Sequence, residues 1–373
     1  MTADPAAVSD REQRILGIIE TARAKRPKFK AEQVTMAHGA GGKATQTLIE
    51  GLLVPAFAGG DADAGEPRGL AELADAGTVA ITDSGVAMST DSYVVRPIRF
   101  PGGSIGELAI NGTVNDLAMA GARAEAITVA LVLEEGLAAA ELRAEVEAIA
   151  AAADVAGVEI VAGDTKVVER GHCDSMYITT TGIGRIDQRA SLSPAALEPG
   201  DRVLVSGPIG DHGTAIMLAR DEFDLDADIE SDTQSLWPAA AALIATVGDG
   251  LRCMRDATRG GVATVLNELA RASGVAIVSR EADVPVRPAV AGAAEILGID
   301  PMYVANEGRM VAIVAPEAAA EALAALRSVA GSEEAAEIGE VRTEPPGMVL
   351  VETAFGGRRV MDLLAGDPLP RIC

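Results

Sequence analysis

Nine aromatic side chains among 373 residues leave this chain few ways to fill an interior. Its cores must be packed from Val, Ile, Leu and Ala, the mixture suited to helix layered on sheet. The apolar patterning agrees. Segments 79–83, 86–95, 126–133, 157–163 and 175–186 read as strands, and 104–120 and 137–155 as helices. Ser104 is the expected N-cap of the first helix, and Leu142, Val146, Ile149 and Ala153 recur at helical spacing in the second. A Pro/Gly-marked seam at 191–201 precedes a second half with strands at 203–207, 275–279, 309–315 and 348–352. Helices are expected there near 211–220, 233–247, 258–271 and 316–328. No regular βαβ rhythm runs through the pattern, so the fold class is α+β. The division is an arm over 1–33, domains over 34–190 and 191–352, and a mobile tail over 353–373.

Charge narrows the function classes. With 31 Lys+Arg against 55 Asp+Glu the net charge is −24, which repels phosphate backbones and anionic membrane surfaces. Neither nucleic acid nor membrane is an expected partner. No apolar run is long enough to span a bilayer, and the start MTADPAAVSD lacks the features of a secretory signal. Three scattered cysteines and three histidines without zinc-ligand spacing fit a reducing cytoplasm and no structural metal. Seven Lys/Arg within 11–30 surround a small apolar cluster, read as a loosely docked arm or a partner-binding helix. The stretch 221–232 holds seven acids in twelve residues but fails the EF-hand pattern, and reads as a solvated loop.

Several motifs carry chemistry. In AHGAGGKATQ, Gly39, Gly41 and Gly42 let backbone approach an anion and Lys43 adds charge, although a simple turn has the same composition. Asp91, Asn115, Asp116 and Asp164 stand at apparent ends of core elements. Hard oxygen ligands so placed suit magnesium bridging to phosphates, and each alone also suits a cap or turn. Lys166, two residues past Asp164, is a phosphate-orienting group or a surface lysine. Arg259 and two glycines precede a helix, where free N–H groups favour anions. Glu307 lies beside a glycine between strand-like neighbours, where a buried or turn-capping acid is equally natural. The chain finishes in AGDPLPRIC. Pro368 and Pro370 stiffen it, and the 17 residues from Gly357 reach about 55 Å when extended. A thiol at Cys373 on such an end reads as a carrier arm.

These motifs together resemble the HypE family of hydrogenase maturation factors, the carbamoyl dehydratases of cyanide-ligand synthesis for NiFe-hydrogenases. The likeness rests on 37–44, 89–95, 100–122, 133–137, 163–171, 205–213, 255–262, 305–310 and the terminal PRIC. PRIC is highly specific. The glycine and aspartate motifs are shared across the PurM-like ATP-binding superfamily. The resemblance implies a PurM-like N-terminal domain, an α+β C-terminal domain, a flexible tail and a homodimer whose first-domain strands form a barrel. It implies ATP with Mg2+ on Asp91, Asp116 and Asp164, with Asn115 beside the nucleotide and the 39–43 loop near phosphate or the tail. A HypF-like carbamoyltransferase loads Cys373, and the iron of a HypC–HypD-like complex accepts the product. Between these steps ATP drives dehydration of an S-carboxamide to a thiocyanate. Glu307 is then the proton acceptor, and Lys166 stabilises charge or relays protons. The rival expectations are a PurM-like phosphotransferase acting on a diffusible substrate, and a non-catalytic carrier.

Overall fold

A computed structural model describes residues 28–35, 38, 43–57, 85–220, 227–354 and 356–362. The expected strand at 79–83, the stretch 59–77, Gly39, Gly41, Gly42 and Cys373 lie outside those residues. Lys43 opens a helical segment α1, formed by Lys43–Leu48, a π turn Ile49–Leu53 and Val54–Phe57. Strand β1 (Val86–Tyr93) follows, then a two-stranded ribbon of β2 (Arg99–Phe100) and β3 (Gly103–Ser104). Helix α2 (Ile105–Met119), strand β4 (Ala122–Glu134), helix α3 (Ala139–Ala156) and strands β5 (Glu159–Val168) and β6 (Met176–Ile186) complete the first half.

The first sheet has the order β1-β6-β4-β5. Only β4 and β5 run parallel, and α3 is the crossover that parallel neighbours require. Ile127, Val129, Leu131 and Leu133 of β4 are buried in one cluster with Leu108 and Ile110 of α2 and Leu142, Val146 and Ile149 of α3. The opposite face carries Met88, 72% exposed, and Val86, 43% exposed. Among the described residues this face of β1 stays open to solvent.

Ser104 occupies the N-cap position of α2, but its hydroxyl makes no capping bond. Instead the Gly106 N–H donates to Glu145 Oε2 of α3 at 3.0 Å, and Arg99 Nε lies 2.8 Å from Glu145 Oε1. A carboxylate with an arginine partner answers the positive end of a helix better than a hydroxyl does. A Cβ on Gly106 would stand 2.6 Å from the Glu145 carbonyl oxygen, so glycine lets the two helices approach.

In the second half, β7 (Arg202–Val205), α4 (Asp211–Ala219), α5 (Trp237–Val247), β8 (Leu251–Asp256), α6 (Gly261–Ser273), β9 (Ala276–Arg280) and α7 (Pro288–Leu297) come first. Strand β10 (Met310–Val314), α8 (Ala319–Arg327), β11 (Ala336–Arg342), β12 (Val349–Glu352) and β13 (Arg358–Met361) follow. The sheet order is β13-β12-β9-β11-β7-β10-β8. Both faces are covered, and the period-two alternation of strands divides the side chains between them. Val203, Val205, Val311 and Ile313 pack with α6, whereas Leu204, Met310, Ala312 and Val314 pack with α5 and α8. Strand β10 is therefore buried along its whole length.

The two halves share a core, because Ala118 and Met119 at the end of α2 join the α5–α8 cluster. Thirteen of the 15 residues of α2 are buried, as befits a helix covered from both sides. The end of the acidic stretch 221–232 is not solvated: Ile229 is 5% and Asp232 8% exposed, and the Ser231 N–H bonds the Pro101 carbonyl at 2.8 Å. Strand β13 pairs with β12 inside the stretch 353–373, and residues 363–373 lie outside the described structure.

Candidate active site at the junction of the two domains

Strand β1 alternates strictly, so Ser89, Asp91 and Tyr93 share the face toward α2. There the Ser89 hydroxyl donates to Asp116 Oδ2 at 2.5 Å, and Tyr93 Oη lies 3.3 Å from Thr113 Oγ1. Burial raises the Asp116 carboxyl above its ordinary value, the Ser89 bond lowers it, and the Asp91 charge raises it again.

The second domain adds two acids. At the end of β8, Asp256 is pushed up to about 7, first by desolvation and then by Asp116, with Asp91 contributing. Glu307, in the loop before β10, is 3% exposed. Desolvation holds its carboxyl well above the usual range, and Asp256, Asp232 and Asp91 raise it further against Arg259. Asp91, Asp116, Asp256 and Glu307 thus feel one another across the junction. Asp116, Asp256 and Glu307, each desolvated beside like charges, bind protons or cations more readily than exposed carboxyls do.

Glu307 Oε1 has no hydrogen-bond partner among the described residues. Its backbone is tied on both sides: the N–H donates to Asp232 Oδ1 at 3.0 Å, and the carbonyl accepts from Asn115 Nδ2 at 3.3 Å. Asn115 also donates to the Gln234 carbonyl at 3.0 Å and accepts from the Leu236 N–H at 2.7 Å.

Asp164 and Lys166 stand elsewhere. They lie within β5 rather than at or past a strand end, and both are exposed while Thr165 and Val167 between and beside them are buried. Lys166 Nζ lies 2.9 Å from each Asp164 oxygen, and that bond holds the Asp164 carboxyl below its usual value. Among the described strands, β5 and β1 lie at opposite edges of the sheet, three spacings or about 14 Å apart. Asp164 pairs in register with Ala130, which aligns with Thr179 and Ser92, the face of β1 opposite to Asp91. A single chain does not bring this pair to the acid cluster.

Asp256 stands three residues before Arg259 and carries no motif signal of its own beside that arginine and the two glycines. The glycines were its signal. Gly260 and Gly261 have φ of +75° and +61°, and a Cβ on Gly261 would stand 2.5 Å from the Met302 carbonyl oxygen. This close approach sets the loop after β8 against the one before β10, and Asn306 fastens them by donating to the Ala257 carbonyl at 3.0 Å.

No group of three or more His, Cys, Asp or Glu among the described residues is gathered tightly enough to hold a metal ion by itself. The donors nevertheless fit Mg2+ arriving with a polyphosphate. They are hard oxygens with raised proton affinity, and Mg2+ takes few protein carboxylates while keeping water and phosphate oxygens.

Two mixed sheet-and-helix domains meeting at an acid-lined junction define a PurM-like protein. Residues 73–186 match the AIR synthase related protein, N-terminal domain, and residues 198–351 the corresponding C-terminal domain. The chain is 46% identical over 347 residues to carbamoyl dehydratase HypE of Rhodobacter capsulatus, covering 92% of this chain and 99% of that protein. It is 45% identical over 342 residues to carbamoyl dehydratase HypE of Escherichia coli strain K12, covering 91% and 99%. A crystal structure of hydrogenase maturation protein HypE in complex with ATP aligns with a TM-score of 0.85 at 43% identity, covering 91% of this chain and 99% of the other. A HypE–HypF complex structure aligns at 0.73 and 41% identity, covering 82% and 97%. This chain belongs to the HypE family of hydrogenase maturation proteins.

Proposed function

We propose that the junction binds Mg–ATP and dehydrates a carboxamide carried on the Cys373 sulfur, supplying the cyanide ligand of a NiFe-hydrogenase. The observation that carries this reading is Glu307, a fully buried carboxyl with an unpartnered oxygen beside three further acids. In the balanced reaction, S–C(=O)–NH2 and ATP give S–C≡N, ADP and phosphate. The amide oxygen takes the γ-phosphoryl group, and the C–O bond then breaks with phosphate as leaving group. Both N–H protons depart, leaving the nitrile. A raised pKa makes Glu307 a stronger base than an ordinary carboxylate, as that step requires. Asp91, Asp116 and Asp256 would hold Mg2+, which supplies charge neutralisation at the phosphates. The 39–43 loop, with Lys43, would lie near phosphate or the incoming tail.

Asp164 and Lys166 belong in this site from a second copy of the chain. The β1–β6–β4–β5 face that carries Met88 and Val86, both exposed among the described residues, is where two copies would close into a barrel. Lys166 then stabilises charge or relays protons. The solved HypE–HypF complex supports a HypF-like carbamoyltransferase as the loading partner. A HypC–HypD-like complex would accept the product, all within the cytoplasm. No helix among the described residues is long and apolar enough to cross a membrane.

The test is intact mass of carbamoylated protein before and after Mg–ATP. Loss of one water from the peptide containing Cys373 is expected. ATP turnover without that loss would overturn the dehydratase reading in favour of a diffusible substrate.

A further inference from the structure

We propose that Asn115 and Asp232 are positioning residues that clamp the Glu307 peptide, Asn115 reaching across from the first domain and Asp232 from within the second, so that Asn115 serves the chemistry through Glu307 rather than through the nucleotide. This rests on the reading of Glu307 as proton acceptor. Asn115 is 2% exposed, and its side chain meets three backbone groups, all in the second domain: it donates to Gln234 O and Glu307 O and accepts from Leu236 N. An amide has two N–H hydrogens and one oxygen, so both donors and the oxygen are engaged. Successive helix residues point about 100° apart. Asp116 therefore faces Ser89 on β1 while Asn115 faces the second domain.

The other jaw is Asp232, whose Oδ1 accepts from Glu307 N at 3.0 Å. It is held in turn by Arg309, with Nε 3.5 Å from Asp232 Oδ2. Arg309 is 4% exposed and donates to the carbonyls of Pro208 at 2.9 Å and Gly331 at 2.7 Å. Between the jaws, Gly308 lies flat against the 232–234 backbone. A Cβ there would fall 1.8 Å from the Asp232 carbonyl oxygen, and Gln234 Nε2 donates to the Gly308 carbonyl at 3.0 Å. The backbone of Glu307 is fixed from both sides while its Oε1 is left without a partner. That is the arrangement of a preorganised acid–base group, because a displacement of about 1 Å costs a reaction roughly a hundredfold.

The experiment uses the full chain with Asn115→Ala, Asp232→Ala and the near-isosteric Asp232→Asn, which keeps an acceptor for the Glu307 N–H. Three quantities are read: Mg–ATP affinity by calorimetry, amide hydrogen exchange of 305–309, and single-turnover water loss at saturating ATP. Both alanine variants should bind Mg–ATP within about twofold of wild type and exchange at 305–309 roughly tenfold or more faster. Their turnover should fall roughly 10–100-fold. Asp232→Asn should recover exchange protection and most of the rate. Loss of ATP affinity by about tenfold in Asn115→Ala, with exchange at 305–309 unchanged, would overturn the clamp and make Asn115 a nucleotide ligand. Should wild type lose no water, the dehydration reading fails, and affinity and exchange still decide the clamp.

Discussion

Asp211 opens α4 with 1% of its surface exposed, and its Oδ2 has no hydrogen-bond partner although Arg287 Nη1 is 3.4 Å away. Burial raises the carboxyl from an ordinary 3.8 to about 6, with Arg287 opposing and Asp232 reinforcing the rise. Between these two values the folded chain binds more protons at this site than the unfolded chain. Stability therefore falls as pH rises through that window, and the loss is complete above about pH 6. The difference corresponds to about 3 kcal/mol. Asp211→Asn keeps the shape and removes the titration. Urea unfolding of both proteins from about pH 4 to pH 7.5 should show the variant gaining on wild type by about 3 kcal/mol, with the m-value unchanged. A gap that stays constant with pH, or that moves toward wild type, would refute the reasoning. It would mean that Arg287 outweighs desolvation.

Gly112→Ala would place a Cβ 2.3 Å from Tyr93 Oη, displacing a ring that is 1% exposed, and should cost about 1–3 kcal/mol in a thermal melt. An unchanged melting temperature would show that β1 and α2 yield freely. Asp256→Asn should weaken Mg2+-dependent ATP binding on the order of tenfold while leaving the fold intact by circular dichroism; unchanged affinity removes Asp256 from the nucleotide site. Cys173 and Cys253 are buried, and desolvation pushes both thiols up to about 11. Iodoacetamide at about pH 8 should therefore leave both unlabelled until the chain is unfolded, as peptide mass mapping will show.

Where local periodicity is strong, the sequence already contains the fold. Segments 86–95, 104–120, 137–155 and 175–186 return as β1, α2, α3 and β6 within a few residues. Strands β8, β11 and β13 and helix α7 are short, alanine-rich or heavily charged, and their pairing is decided by distant partners. The same distinction runs through the site. Asp91, Asp116 and Glu307 stood out by motif and do converge. Asp256 and Asp232 did not stand out, because each gains its place from a loop-to-loop contact made by glycines 261 and 308. Asp164 and Lys166 were legible as a motif, but their direction was not. A strand one residue longer or shorter reverses the face on which a side chain stands.

The electrostatics favour a junction for the proposed chemistry. A single domain could gather carboxylates only by burying repulsion in its own core. Here the Asp91–Asp116 pair is anchored by the first domain and Asp256 with Glu307 by the second, so the repulsion acts across a junction that the shared α2–α5–α8 core already holds closed. Asn115 supplies neutral contacts that hold the halves together against it, and Asp232, paired with Arg309, fixes the Glu307 backbone from within the second domain. Arg255 and Arg259 offset the cluster's charge only in part, since Asp116, Asp256 and Glu307 all stay raised, and in the proposed reading a cation entering with phosphate supplies the rest.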